Sequence, residues 1–286
     1  MRKLGLDIFK IAQRMANPVQ GVLTGFKDLD AMTLGMQKQD MIIIGGRPSM
    51  GKTSFALQMA LQMTEPLAIF SAEMSYQAVG ERLIAQESMV GMHRLKSKYA
   101  SVNEKEKANA ALKIIEDKDI YISDLTHVTP NGIRKQLDNM GEHCFPACVF
   151  VDYLQLLSAD GFSGNTERET TIISREMKSI AREYNVPMVV VSQLNRENEK
   201  REGHEPKLSD LRGSGSIEQD ADVVMLLHRP AYYRIVDEDV DSQDDGDAFG
   251  ILCKNRNGPV GRLKYTWEKK CMKFVEQSSK FKEFGA

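Results

Sequence analysis

Four cysteines, Cys144, Cys148, Cys253 and Cys271, in 286 residues are too few and too scattered for a disulfide framework. No apolar run approaches the roughly 20 residues that a membrane-spanning helix needs. The first residues, MRKLGLDIFKIAQRMA, carry Asp7, Lys10 and Arg14 where a signal peptide has its apolar core. These absences predict a reducing, cytoplasmic setting with no membrane partner. A large charge of one sign is also missing: 38 Lys and Arg face 40 Asp and Glu, which excludes a globally basic, histone-like protein. The balance is uneven, however. Val236–Asp247 holds seven acidic residues and no basic one, so a net −2 overall leaves +5 on the rest of the chain. His143, Cys144 and Cys148 invite comparison with a metal site, but Cys148 opens the apolar run CVFVDYLQLL and reads as core. Internal repeats and long low-complexity segments are absent.

What is present is an ordinary globular balance, 42% hydrophobic and 27% charged. Leu4, Ile8, Ile11 and Met15 form one apolar helical stripe, stopped by Asn17-Pro18, so residues 1–20 read as a separate amphipathic arm. From Gly21 onward, short apolar runs alternate with helical patterns. Strands are expected at Met41–Gly45, Leu67–Ser71, Ile120–Ile122, Cys148–Asp152, Met188–Ser192, Asp222–His228 and Phe249–Lys254. Helices are expected at Lys52–Met63, Tyr76–Val90, Asn103–Glu116, Pro130–Met140 and Thr171–Tyr184. Val- and Ile-rich strands with little alternation are buried on both faces, which predicts an α/β domain over 21–286 with a mostly parallel sheet between helices. Phe249 to Val275 has no intervening helix and reads as antiparallel additions.

The sharpest chemical signal is Gly46-Arg47-Pro48-Ser49-Met50-Gly51-Lys52-Thr53, a G-x-x-x-x-G-K-[ST] phosphate loop between a strand and a helix. Its glycines let successive amides face a polyphosphate at a helix N-terminus. Lys52 is placed for the β- and γ-phosphates and Thr53 for a bound Mg²⁺. The segment CVFVD reads as a buried strand that delivers Asp152 to the ligand edge of the sheet as a second metal-holding residue. Glu73, just after the strand AIFS, is expected to orient or deprotonate water from the strand adjacent to the phosphate-loop strand. Gln193, ending MVVVSQ, can hydrogen-bond a γ-phosphate and register its loss. Tyr232 and Tyr233 are candidates either for base stacking or for core packing.

GRPSMGKTSFA, FSAEMS, VDYLQLL, VSQLNR and DLRGSGSIEQDADVV, in this order and spacing, resemble the ATPase domain of DnaB-type replicative helicases. GVLTGFKDLD and CKNRNGPVG complete the set, and the resemblance runs from about Gly21 to Val275. It implies a RecA-like P-loop core, a homo-hexameric ring around single-stranded DNA, and 5′-to-3′ translocation driven by ATP and Mg²⁺. Gly46, Arg47, Pro48, Ser49, Met50, Gly51, Lys52, Thr53 and Ser54 are the implied nucleotide-binding residues. Lys254 and Arg256 match the segment that reaches the neighbouring subunit's site, where an arginine neutralises charge developing on the γ-phosphate.

Arg212, Gly213 and Gly215 match the family's DNA-binding loop, whose glycines let amides approach a phosphate. The family usually has Glu where this chain has Gly213. Leu4–Met15 resembles the linker helix that docks on a neighbouring motor domain, while the family's N-terminal collar, which meets primase, has no counterpart in the sequence. Primase and a helicase loader are the further partners implied. The rival readings are a RecA- or RadA-type recombination ATPase, opposed by SDLRGSGSIEQDADVV and KNRNG, and an ATP-switched assembly module with little turnover, opposed by Glu73 and Gln193.

Overall fold

The computed structural model describes residues 21–125, 127–159, 166–211, 214–237 and 246–277. The arm over 1–20, most of the acidic stretch, and Arg212 and Gly213 lie outside the described residues. Among those described, no helix is long and apolar enough to cross a membrane.

Nine strands form one sheet: β1 (Met41–Gly46), β2 (Leu67–Ser71), β3 (Ile120–Ser123), β4 (Cys148–Asp152), β5 (Met188–Gln193), β6 (Val223–His228), β7 (Asp247–Asn255), β8 (Gly261–Glu268) and β9 (Lys273–Glu276). Their spatial order is β3-β2-β4-β5-β1-β6-β7-β8-β9. The first six in that order pair in parallel, and β7, β8 and β9 extend the sheet antiparallel. The helices are α1 (Lys27–Thr33), α2 (Lys52–Gln62), α3 (Tyr76–Ser88), α4 (Met92–Lys96), α5 (Val102–Glu116), α6 (Pro130–Asp138), α7 (Thr166–Glu183), α8 (Ser214–Asp220) and α9 (Pro230–Asp237).

The lack of alternation in the central strands has a direct cause. In β1, Ile42 and Ile44 join a core with Phe55 and Met59 of α2, while Met41 and Ile43 join a second core with Met177 and Ile180 of α7. Phe150 and Val189 share the first of these cores, Val149 and Val190 the second. Each strand therefore buries both faces, and at about 25 cal/mol per Å² this two-sided burial is the main source of stability. In β8 the alternation returns, because only one face is covered: Leu263, Tyr265 and Trp267 are buried and Arg262 and Lys264 are exposed. Cys148 is wholly buried in the first core, and burial pushes its thiol pKa far up.

One expectation fails. β2 is not the neighbour of β1, since β4 and β5 stand between them. The crossover through α2 carries the chain past two positions that later strands fill. Glu73 is brought to the ligand edge through β4 instead, because Ser71 lies level with Asp152 in the β2–β4 register.

Candidate active site

The loop between β1 and α2 is shaped by two residues in the left-handed region, Ser49 (φ 67°) and Gly51 (φ 90°). At Gly51 a side chain is excluded by space as well as by angle. A Cβ there would lie 2.9 Å from the Phe274 ring. Gly51 is also the N-cap of α2, with no side-chain cap and no acidic residue in the first turn. The helix thus presents first-turn N–H groups and its positive end without a counter-charge, the condition for binding an anion.

These groups open into a cleft of about 500 Å³ whose walls include Lys52, Thr53, Glu73, Arg82, Gln193 and Trp267. Pro48, Ser49, Gly51 and Ser54 also line it. Gly46, Arg47 and Met50 do not. The Met50 side chain is buried in the core beneath the loop, and the Arg47 guanidinium turns away to Glu199 and the Leu194 carbonyl. For Arg47 and Met50, therefore, the main chain alone is available to a phosphate.

Asp152 is 6% exposed, and neither of its carboxylate oxygens has a hydrogen-bond partner of normal geometry among the described residues. Burial pushes its pKa up to about 6; the Thr53 hydroxyl pulls it down, Glu73 raises it, and Lys52 and Arg82 lower it. A buried carboxylate with only the Thr53 hydroxyl beside it is a fitting donor set for a hard divalent cation, which takes oxygen ligands. The Lys52 ammonium donates to the Arg47 carbonyl at 3.1 Å. Burial lowers its pKa, while Asp152 and Glu73 hold it up.

Glu73 sits in a turn closed by Ser71, whose hydroxyl donates to the Met74 carbonyl (2.8 Å) and accepts from the Met74 amide (3.1 Å). Gln193 is held from below by Gln155. The Gln155 amide donates to Ser192 Oγ (3.0 Å) and to the Gln193 carbonyl (3.2 Å), and its oxygen accepts from the Gln193 amide (3.2 Å). Motif reading missed Gln155, Trp267 and Arg82. Arg82 points into the cleft from α3, with Nε buried and without a partner among the described residues. Desolvation lowers its pKa against the pull of Asp152 and Glu73. The available signal was a lone cation beside the apolar positions Val79 and Leu83 of the helix that follows Glu73.

Lys254 and Arg256 are not in this cleft. β7 runs antiparallel to β6, so they lie at the opposite edge of the sheet. Lys254 donates to the Glu218 carbonyl (2.5 Å), and desolvation lowers its pKa. Arg256 donates to Asp222 (3.1 Å) and to the Gln219 carbonyl. Neither can serve the cleft of its own chain. Gly215 is exposed in the first turn of α8 with open space around its Cα. Tyr233 packs inside the protein, stacked on His204 at 4.4 Å and accepting from Asn198, so the core-packing alternative holds for it.

A family model described as the DnaB-like helicase C-terminal domain matches residues 21–276. The chain belongs to that family. It is 37% identical over 272 residues to the replicative DNA helicase DnaC of Bacillus subtilis, covering 93% of this chain and 59% of that protein. It is 37% identical over 282 residues to the replicative DNA helicase DnaB of Geobacillus stearothermophilus, covering 97% and 61%. The chain thus spans about six-tenths of the length of these curated relatives. Among solved structures, a chain described as an ATPase domain superposes with a TM-score of 0.87 at 31% identity, covering 97% of this chain and all of that one. A DnaB-like replicative helicase, solved in a study of its interactions with primase, superposes at 0.85 and 30% identity, covering 97% and 68%. The RecA-like α/β architecture of the DnaB ATPase domains is therefore the fold of this chain.

Proposed function

We propose that this domain is the motor of a replicative DNA helicase, binding ATP with Mg²⁺ in the cleft and coupling hydrolysis to 5′-to-3′ movement on single-stranded DNA within a ring of six. The observation that carries the reading is the convergence of an uncapped helix N-terminus, Lys52, Glu73 and Gln193 on one cleft, with the buried Asp152 carboxylate behind Thr53, which lines both that cleft and the smaller cavity that Asp152 borders. Asp152 and Thr53 would hold the metal, which supplies charge neutralisation to the phosphates. The α2 amides and Lys52 bind and orient the polyphosphate. Glu73 accepts the proton of the attacking water, and Gln193, fixed by Gln155, donates its amide to the γ-phosphate. Arg82 adds positive charge from the α3 side.

The position of Lys254 and Arg256 at the far edge supports completion of each site by a neighbouring protomer, because a ring that repeats one interface brings opposite edges together. Primase and a loader are further proposed partners. Arg212, Gly213 and Gly215 remain the proposed contacts to the DNA backbone. The decisive experiment is ATP hydrolysis per protomer across a protein dilution series, with and without single-stranded DNA. A rate that rises with concentration and is stimulated by DNA is expected. A rate flat in both would sink the helicase-motor reading in favour of a switch.

A further inference from the structure

The span after β5 is fastened to the phosphate loop by an arginine that the proposed chemistry does not use. The Arg47 side chain is 9% exposed, and its planar fork reads two acceptors at once. Nε donates to Glu199 Oε1 at 2.8 Å and Nη2 pairs with the same oxygen at 2.6 Å. Nη1 donates to the Leu194 carbonyl at 2.8 Å.

Both acceptors belong to one tightly bonded unit. The Leu194 amide donates to the Gly46 carbonyl, Leu194 bridges to Leu211, and the Asn195 amide donates to the Asp210 carbonyl at 2.8 Å. Asp210, itself buried, is gripped by both Arg201 terminal nitrogens at 2.6 Å and by the Lys207 amide. Asn198, beside Glu199, is buried and donates to the Tyr233 hydroxyl and the His204 carbonyl. Residues 194–211 are therefore tied to one another, and Arg47 is one of the joints between that unit and the phosphate loop.

The other end of the joint faces the nucleotide. The Arg47 carbonyl accepts from Lys52 Nζ at 3.1 Å and from the Met50 amide at 3.3 Å. A polyphosphate competes for that ammonium as a stronger, charged acceptor. When Lys52 turns to it, the Arg47 peptide loses a bond, and the side chain of the same residue is fixed to Glu199 and Leu194.

We propose that Arg47 and Glu199 form a coupling link through which occupancy of the phosphate loop sets the placement of residues 194–211. Both are positioning residues, and neither side chain touches a reacting atom. The link runs beside Gln193 and does not depend on it. It rests on the reading of the cleft as a nucleotide site and requires nothing of DNA. Glu199 is 41% exposed, so its replacement opens no core cavity and leaves the Arg47 guanidinium on the Leu194 carbonyl.

The test is backbone hydrogen exchange of 46–54 and 195–211, with and without ADP and Mg²⁺, in the parent and in Glu199→Ala. In the parent, nucleotide is expected to protect 46–54 and to change exchange over 195–211 by about threefold or more. In Glu199→Ala the protection of 46–54 stays and the change over 195–211 falls to a third or less. Glu199→Gln, which keeps an acceptor at similar reach, restores at least half of it. An unaltered response in Glu199→Ala overturns the link, as does a parent in which 46–54 is protected while 195–211 ignores nucleotide. A parent with no protection at 46–54 removes the nucleotide reading first and the link with it. Loss of DNA stimulation, measured separately, bears on the helicase reading alone.

Discussion

Two aspartates stand at opposite edges of the same sheet, both almost fully buried, and their surroundings differ completely. Asp222, at the edge where β6 begins, accepts from the Met41 amide, Lys178 and Arg256. Asp152, where β4 ends, accepts no hydrogen bond of normal geometry from any described residue. A buried carboxylate with three donors is a fastening for β1, α7 and β7. A buried carboxylate with none is destabilising by itself and is tolerated where a ligand supplies what the protein withholds. The edge that costs free energy is the edge at which nucleotide binding is proposed.

The strongest way to break this contrast is to show that the fastened edge has no catalytic part. Arg256→Ala is expected to lower hydrolysis about a thousandfold in the assembled protein, on the scale of an arginine supplied in trans. Mixing Arg256→Ala with Lys52→Ala protomers should restore part of the rate, since each supplies what the other lacks. Mixtures no better than either variant would place Arg256 outside the reaction. Glu73→Gln, at the binding edge, should cost at least a hundredfold in kcat with nucleotide affinity nearly unchanged; equal losses in both, measured by single-turnover kinetics and equilibrium binding, would make Glu73 a binding group instead.

Stability should then move in opposite directions at the two edges. Asp222→Asn strips charge from a site whose donors, Lys178 and Arg256, are partly solvated, and is expected to destabilise by about 1–3 kcal/mol in urea titrations. Asp152→Asn should stabilise the nucleotide-free protein at pH 8 by on the order of 1–2 kcal/mol. Its folded pKa, about 6, lies above the ordinary 3.8, so the folded state binds the proton more tightly and the penalty grows as pH rises through that interval. At pH 5 the unfolded carboxyl is still ionised, so about half of the gain should remain, and only below about pH 3.8 should the variant match the parent. A gain that did not shrink between pH 8 and pH 4 would mean that shape, not charge, is relieved.

Much of the architecture was legible because it rests on local patterns. The six parallel strands and α2, α3, α5, α6 and α7 fall within a few residues of their expected bounds, since each combines an apolar run or stripe with a clear stop. α1 was invisible for a long-range reason. Its N-cap, Phe26, has no capping side chain, and the amides of Lys27 and Asp28 are held at 3.0 Å each by the Glu276 carboxylate on β9. α8 carries no clear helix signal, because SGSIEQD is short and begins with weak helix formers. At the site, Lys52 and Thr53 follow from motif chemistry and share the cleft, while Asp152 lies behind Thr53 in a smaller cavity. Arg82, Trp267 and Gln155 were not found, because each reaches its position through the crossing of elements rather than through spacing in the chain. The strand order also escaped the sequence, which does not say which later strands fill the gap beside β1.

Gly51 packs against Phe274, and Gln58 of α2 both donates to the Phe274 carbonyl and accepts from its amide, across 216 positions of chain. That packing has a consequence in time. The phosphate loop is translated early, yet one wall that shapes it belongs to the last strand. At about 5–20 residues per second, synthesis of the intervening chain takes roughly 10–45 s. During that interval the nascent domain carries the loop sequence without the aromatic wall that backs it, so the loop takes its finished shape only once β9 has been made.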